Sequence, residues 1–154
     1  MKKRHLAALF AATISSAALA GDTAFTPDAA ATWSARSLQM AGVLDQAAAG
    51  TLSKASFATA CDGLTGEQMK HEYGKEPRWA LASQLDICSA YNGFAGKFGA
   101  SKNPCSSLKK GLGELDGATP ESSPPEVVSA AAALRTTVTA LLGSTDEHKR
   151  ACKA

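Results

Sequence analysis

Residues 77–98 read PRWALASQLDICSAYNGFAGKF. Leu81, Leu85, Cys88, Tyr91, Ala95 and Phe98 recur at intervals of three and four, the spacing that stacks side chains on one face of an α-helix. Trp79, Ile87 and Phe94 widen that face. An apolar surface on more than one side predicts a central helix touched by several neighbours. Pro77 suits its first position, where a missing N–H costs nothing.

Upstream, Pro27-Asp28 opens a helical run to about Ala49. Trp33, Ser37, Met40, Leu44 and Ala48 form its inner stripe, and Gly50 stops it. A shorter helix is expected over 52–62, with Leu52, Ser56 and Phe57 facing inward beside Cys61 and Gly63 at its end. Thr65-Gly66-Glu67-Gln68 has the form of a capping box and starts a short helix ending near Gly74.

Downstream, residues 99–103 make a turn rich in Gly, Ser and Asn. A helix over 104–115 follows, weakened by Gly111 and Gly113. Residues 116–125 are the most loop-like, with Ser122-Ser123-Pro124-Pro125 as a stiff end, and predict a mobile or exposed tongue. Over 126–142 a clear stripe returns: Val127, Ala131, Leu134, Val138 and Leu141. Gly143 closes it. Ser144-Thr145-Asp146-Glu147 is a second capping box and opens a last helix that carries Cys152. No stretch shows the period-two alternation of a strand. The expectation is an all-α fold: a small disulfide-stapled bundle of roughly five to seven helices, forming one domain over 21–154.

The chain opens on a cationic head, Met1-Lys2-Lys3-Arg4-His5. An apolar run over 6–19 follows, broken only by Thr13, Ser15 and Ser16, and ends Ala18-Leu19-Ala20 before Gly21. That order is the one a secretory signal peptide needs, here over 1–20. The run is shorter than the ~20 residues that span a bilayer. A membrane anchor or a buried helix is the competing reading, and the small-residue ending favours cleavage. No Cys follows the cleavage site, so no lipid anchor is indicated. No other stretch reads as a membrane span. The bacterial style of the leader predicts a periplasmic or secreted protein.

The full chain carries 16 Lys+Arg against 14 Asp+Glu, but Lys2, Lys3 and Arg4 leave with the signal and the mature domain is close to neutral. A neutral domain lacks the basic footprint that nucleic acid selects. Lys149, Arg150 and Lys153 suit a helix C-terminus better than an anionic partner.

All four cysteines, Cys61, Cys88, Cys105 and Cys152, fall after the leader. An even count in an exported chain predicts two disulfides, with three possible connectivities that sequence cannot separate. Adjacent bridges closing two separate loops are the pairing favoured. Zinc is the alternative, but no C-x-x-C pair occurs, and C-x-x-C-H for haem is absent. No cofactor is expected.

The mature chain keeps two histidines, His71 and His148. His71-Glu72 has no serine elbow to serve, and His148 sits in a charged surface run. Glu72, Glu76 and Asp86 could form a carboxylate pair, as any helical protein could. Gly111-Leu112-Gly113 lacks the strand and third glycine of a phosphate loop. The chain therefore reads as non-catalytic.

The order of cysteines does match a pattern. Cys61 ends Phe57-Ala58-Thr59-Ala60-Cys61, Cys88-Ser89-Ala90-Tyr91 lies on the central helix, Cys105 opens the next segment, and Cys152 is near the end. Over 52–152 this layout resembles the Tai-type periplasmic immunity proteins that guard against type VI secretion amidase effectors. It departs from them at Ala90, where the family carries glycine, and at Cys105, which Pro104 precedes where the family has a following proline-glycine turn. The resemblance implies inhibition by occlusion of a peptidoglycan-cutting enzyme, with a cell-wall hydrolase or secreted toxin as partner. Asp116 and Glu121, on the proline-stiffened 116–125 segment, would be the probe, since a stiff loop loses less entropy on binding. Lys75, Arg78 and Trp79 are the second candidates, because an Arg beside a Trp is a frequent hot-spot composition. Core packing at a helix start is the plainer reading of Trp79. Two alternatives stay open: a general envelope stress or chaperone-like protein, and an enzyme acting on cell-wall material.

Overall fold

The computed structural model describes residues 24–48, 60–61, 64, 76–94 and 103–143. Their regular structure is helical: α1 (Pro27–Ala48), α2 (Arg78–Phe94), α3 (Pro104–Glu114), a 3-10 turn (Leu115–Gly117) and α4 (Pro125–Gly143). Ala60 and Cys61 are also helical. The all-α expectation holds, with four α-helices among the described residues. The leader over 1–20, the short helix expected over 65–74, the last helix with Cys152, and most of the helix expected over 52–62 lie outside the described residues.

Proline and a short polar side chain set the helix starts. Pro27, Pro104 and Pro125 each occupy a first helical position, where φ is already helical and no N–H is needed. Thr26 Oγ1 accepts from the Ala29 N–H at 3.3 Å, and Asn103 Oδ1 accepts from the Ser106 N–H at 3.0 Å, so each caps the helix that follows it. Pro77 stands just before α2 rather than inside it, and its carbonyl accepts from the Ala80 N–H at 3.0 Å.

α1 packs along α4, and α2 along α3. The inner stripe of α1 is buried at Trp33, Ser37, Met40 and Leu44. The α4 stripe is buried at every expected position, from Val127 to Leu141. The buried Thr137 on α4 is satisfied locally: its Oγ1 donates back to the Ala133 carbonyl at 3.1 Å, the bond that lets a hydroxyl enter a helix interior. α2 is buried along one broad face, at Ala80, Leu81, Ser83, Gln84, Ile87 and Cys88, whereas Leu85 of the expected stripe is only half-buried.

A polar clasp joins α1 to α2. The fully buried Gln84 donates through Nε2 to the Trp33 carbonyl (3.0 Å) and to Ser37 Oγ (2.9 Å). Its Oε1 accepts from Arg36 Nη1 at 3.3 Å. In return, Trp33 Nε1 donates to the Ala80 carbonyl at 2.6 Å. Each buried polar group here has a partner, so the clasp fixes one rotation of α1 against α2 without an orphaned donor.

Cys61 and Cys88 form a disulfide with Cα atoms 5.8 Å apart, closing a separation of 27 residues. This is the first of the two adjacent bridges expected. Cys105 is disulfide-bonded as well; Cys152, the remaining cysteine of the chain, lies outside the described residues.

One expectation needs correction. No stretch after the leader reads as a membrane span in the sequence, yet α4 is long and apolar enough to cross one by length and composition. Its apolar face is nevertheless buried against protein, and its Arg135 pairs with Asp116 at 2.9 Å. That makes α4 a core helix by its packing.

Candidate functional site

α2 and α3 run antiparallel, and three contacts give their register. Asp86 faces Lys110, Ser83 and Ile87 face Gly111, and Trp79 faces Gly117. At Gly111 a Cβ would lie 2.9 Å from Ile87 Cγ1 and 3.1 Å from the Ser83 carbonyl. The glycine that weakens α3 as an isolated helix is thus the one that lets it approach α2 closely.

At the other end Trp79 sits in a cluster of three aromatic rings. Its centroid is 5.5 Å from Trp33 and 5.9 Å from Phe25, and Phe25 is 6.1 Å from Trp33, all edge-to-face. Such pairs add about 0.5–1.5 kcal/mol each beyond their buried area. Gly117 lies flat against the Trp79 ring: a Cβ there would meet ring atoms at 2.5 Å. A ring wedged among three neighbours has no low-energy escape, so Gly117→Ala is expected to cost about 1–3 kcal/mol. A red-shifted tryptophan emission should accompany that loss. A variant with unchanged melting and emission would contradict the contact.

Between these ends runs an open groove of about 520 Å³. Arg78, Trp79, Ala82, Leu85 and Asp86 of α2 form one wall, and Lys110 and Glu114 of α3 the other. Lys110 Nζ lies 2.9 Å from Asp86 Oδ2. The hydrogen bond to Asp86, and then its negative charge, raise the Lys110 ammonium above its ordinary value of 10.5. A raised folded-state value means that the pair's contribution is complete at lower pH and is lost as pH climbs through the Lys110 titration. Lys110 is 65% exposed, so solvent screens the pair and the effect is small. Lys110→Met should therefore melt slightly below the wild type at pH 7, and the two curves should converge in strongly alkaline buffer. A gap that widens there would refute the assignment.

The segment after the 3-10 turn is exposed at Pro120, Glu121 and Ser122, but it folds on itself. The Ser122 and Ser123 N–H groups both donate to the Thr119 carbonyl, at 3.1 and 3.0 Å. Ser122 Oγ donates to the Gly117 carbonyl at 3.1 Å. The expected tongue is a self-bonded turn, held to α2 through Gly117 and Trp79.

The two segments marked as partner-binding are thereby brought together. Arg78 is exposed at the groove end, and Trp79 is half-buried, serving both the aromatic cluster and the groove wall. Core packing accounts for much of Trp79, as its plainer reading holds. Asp116 is exposed but tied to Arg135, and Glu121 is exposed on the adjoining turn. Lys75 lies outside the described residues, as do His71, Glu72 and His148. Glu76 is buried. Lys110 and Glu114 are absent from the sequence reading: their i, i+4 spacing marks one face of α3, but only the α2–α3 register shows that this face meets Asp86. Among the described residues no three His, Cys, Asp or Glu side chains group as a metal site would need.

Fold and groove together define the class: an all-α, disulfide-bonded protein with a charged, aromatic-walled groove between two antiparallel helices. No family model, curated protein or solved structure matches the chain.

Proposed function

We propose that this protein is an exported, non-catalytic binding protein of the bacterial envelope, an inhibitor or immunity protein that blocks a cell-wall-degrading enzyme. The observation that carries the reading is the meeting of Trp79 with the 117–123 turn at Gly117, with Arg78 exposed beside it. A half-buried Trp, an exposed Arg and a self-bonded turn make one preorganised surface, the composition and stiffness favoured at protein interfaces. The Cys61–Cys88 bridge is consistent with an oxidising compartment, which the leader-like residues 1–20 would supply. In this reading the complete bundle has more helices than the four described, with the last one tied down through Cys152.

The test is capture and inhibition. The oxidised mature chain is immobilised and exposed to envelope hydrolases from the same cells, and peptidoglycan release by the captured enzyme is measured with and without added protein. The proposal expects stoichiometric loss of hydrolase activity, weakened by Trp79→Ala together with Arg78→Ala. Peptidoglycan cleavage by the protein itself, or no effect on any hydrolase, would overturn it.

A further inference from the structure

Four charged side chains line the α2–α3 groove, and two of them satisfy each other. Lys110 and Asp86 are paired at 2.9 Å. Arg78 and Glu114 have no ion-pair partner among the described residues. Asp116, which precedes the Gly117 that packs on Trp79, is held by Arg135.

Their order along the groove follows from the register. Trp79 faces Gly117 and Asp86 faces Lys110, so position 114 faces the stretch of α2 between 79 and 86. Arg78 therefore marks one end of the groove. Glu114 comes next, and the neutralised Lys110–Asp86 pair closes the other end. Ala82 and Leu85 provide an apolar strip beside them.

We infer that this groove binds a short peptide segment bearing both charges, with its carboxylate on Arg78, its ammonium on Glu114 and its apolar side chain on Ala82 and Leu85. A planar guanidinium matches a carboxylate through two parallel hydrogen bonds. The carboxylate of Glu114 is an acceptor suited to an ammonium. A volume of about 520 Å³ falls within the ~300–1,000 Å³ of ligand clefts and suits a segment of a few residues. The balanced charge selects against ligands of one sign, such as phosphate or a polyamine, because each would meet one like charge. The inference goes beyond inhibition: the same chemistry is offered by a free peptide with charged termini and by a partner's loop with an acid and a base in its side chains.

Tryptophan emission reads the groove directly. The chain has two tryptophans; Trp33 is 1% exposed, which leaves Trp79 as the reporter. The oxidised full mature protein is titrated with four probes: alanyl-leucine, its N-acetyl form, its C-terminal amide, and the blocked peptide acetyl-glutamyl-leucyl-lysine amide. Saturable change with alanyl-leucine identifies a site for free peptides, and with the blocked peptide a site for a partner's loop. Removing either charge from the dipeptide should weaken binding about fivefold, as loss of one partly exposed ion pair does. Arg78→Ala should abolish the advantage of the probes with a carboxylate, and Glu114→Gln that of the probes with an ammonium, with helical circular dichroism unchanged in both. Absence of response to both doubly charged peptides would overturn the inference. So would binding that is indifferent to both substitutions. A hydrolase captured with no dependence on Glu114, yet lost with Trp79→Ala and Arg78→Ala together, would leave the inhibitor reading standing and remove this one.

Discussion

Trp33→Ala lowers stability by about 4 kcal/mol, the range found when a fully buried large aromatic is truncated. Trp33 is buried to 1% and fills the junction of α1 and α2. It also anchors the aromatic cluster with Phe25 and Trp79 and donates its indole N–H to the Ala80 carbonyl. For a domain of this size that loss should lower the thermal midpoint by about 10–20 °C. Trp33→Phe separates the contributions, since it keeps a ring and removes the donor. The Ala80 carbonyl still accepts from Ser83 Oγ at 2.8 Å, so it is not orphaned, and Phe should cost only about 1–2 kcal/mol. Thermal unfolding followed by circular dichroism reads both. A wild-type midpoint for Trp33→Ala would mean that the α1–α2 junction is not where the structure puts it.

Replacing Cys61 and Cys88 together by Ser should cost about 3.5 kcal/mol. The bridge closes a separation of 27 residues, and in the chain-entropy view the constraint it puts on the unfolded chain scales with the logarithm of that length. Changing both cysteines avoids a stray thiol that could exchange with the bridge at Cys105. Urea unfolding of the double variant, compared with the oxidised wild type, measures the difference. A loss well under about 1 kcal/mol would show that the bridge decorates the fold instead of bracing it.

Much of the helical core is legible in the chain because its signals are local. The α1 stripe through Trp33, Met40 and Leu44, and the α4 stripe from Val127 to Leu141, are buried as their spacing requires. Apolar periodicity is a property of each helix alone and needs no knowledge of its neighbours. The caps at Thr26 and Asn103 are equally local, but both residues read only as connecting segments until the structure shows their bonds.

The groove is legible only in part. Arg78 and Trp79 attract notice by composition. Lys110 and Glu114 acquire meaning only when α3 lies antiparallel to α2, and that register depends on contacts more than twenty residues apart in sequence. Gly111 and Gly117 mislead for the same reason. A glycine in or beside a helix reads as a weak point, whereas here each marks a place where another element needs the space of a missing Cβ. The 116–125 segment reads as a free tongue because serine and proline favour loops. Its hydroxyls and amides instead close on Gly117 and Thr119, a choice that composition does not reveal.

The most direct test is a peptide map of native protein from the envelope fraction, digested without reduction and read by mass spectrometry. The expected result is a mature chain beginning near Gly21, with the Cys61 and Cys88 peptides joined to each other and no thiol open to alkylation. A chain that retains residues 1–20, or one whose Cys61 and Cys88 alkylate freely, would contradict it.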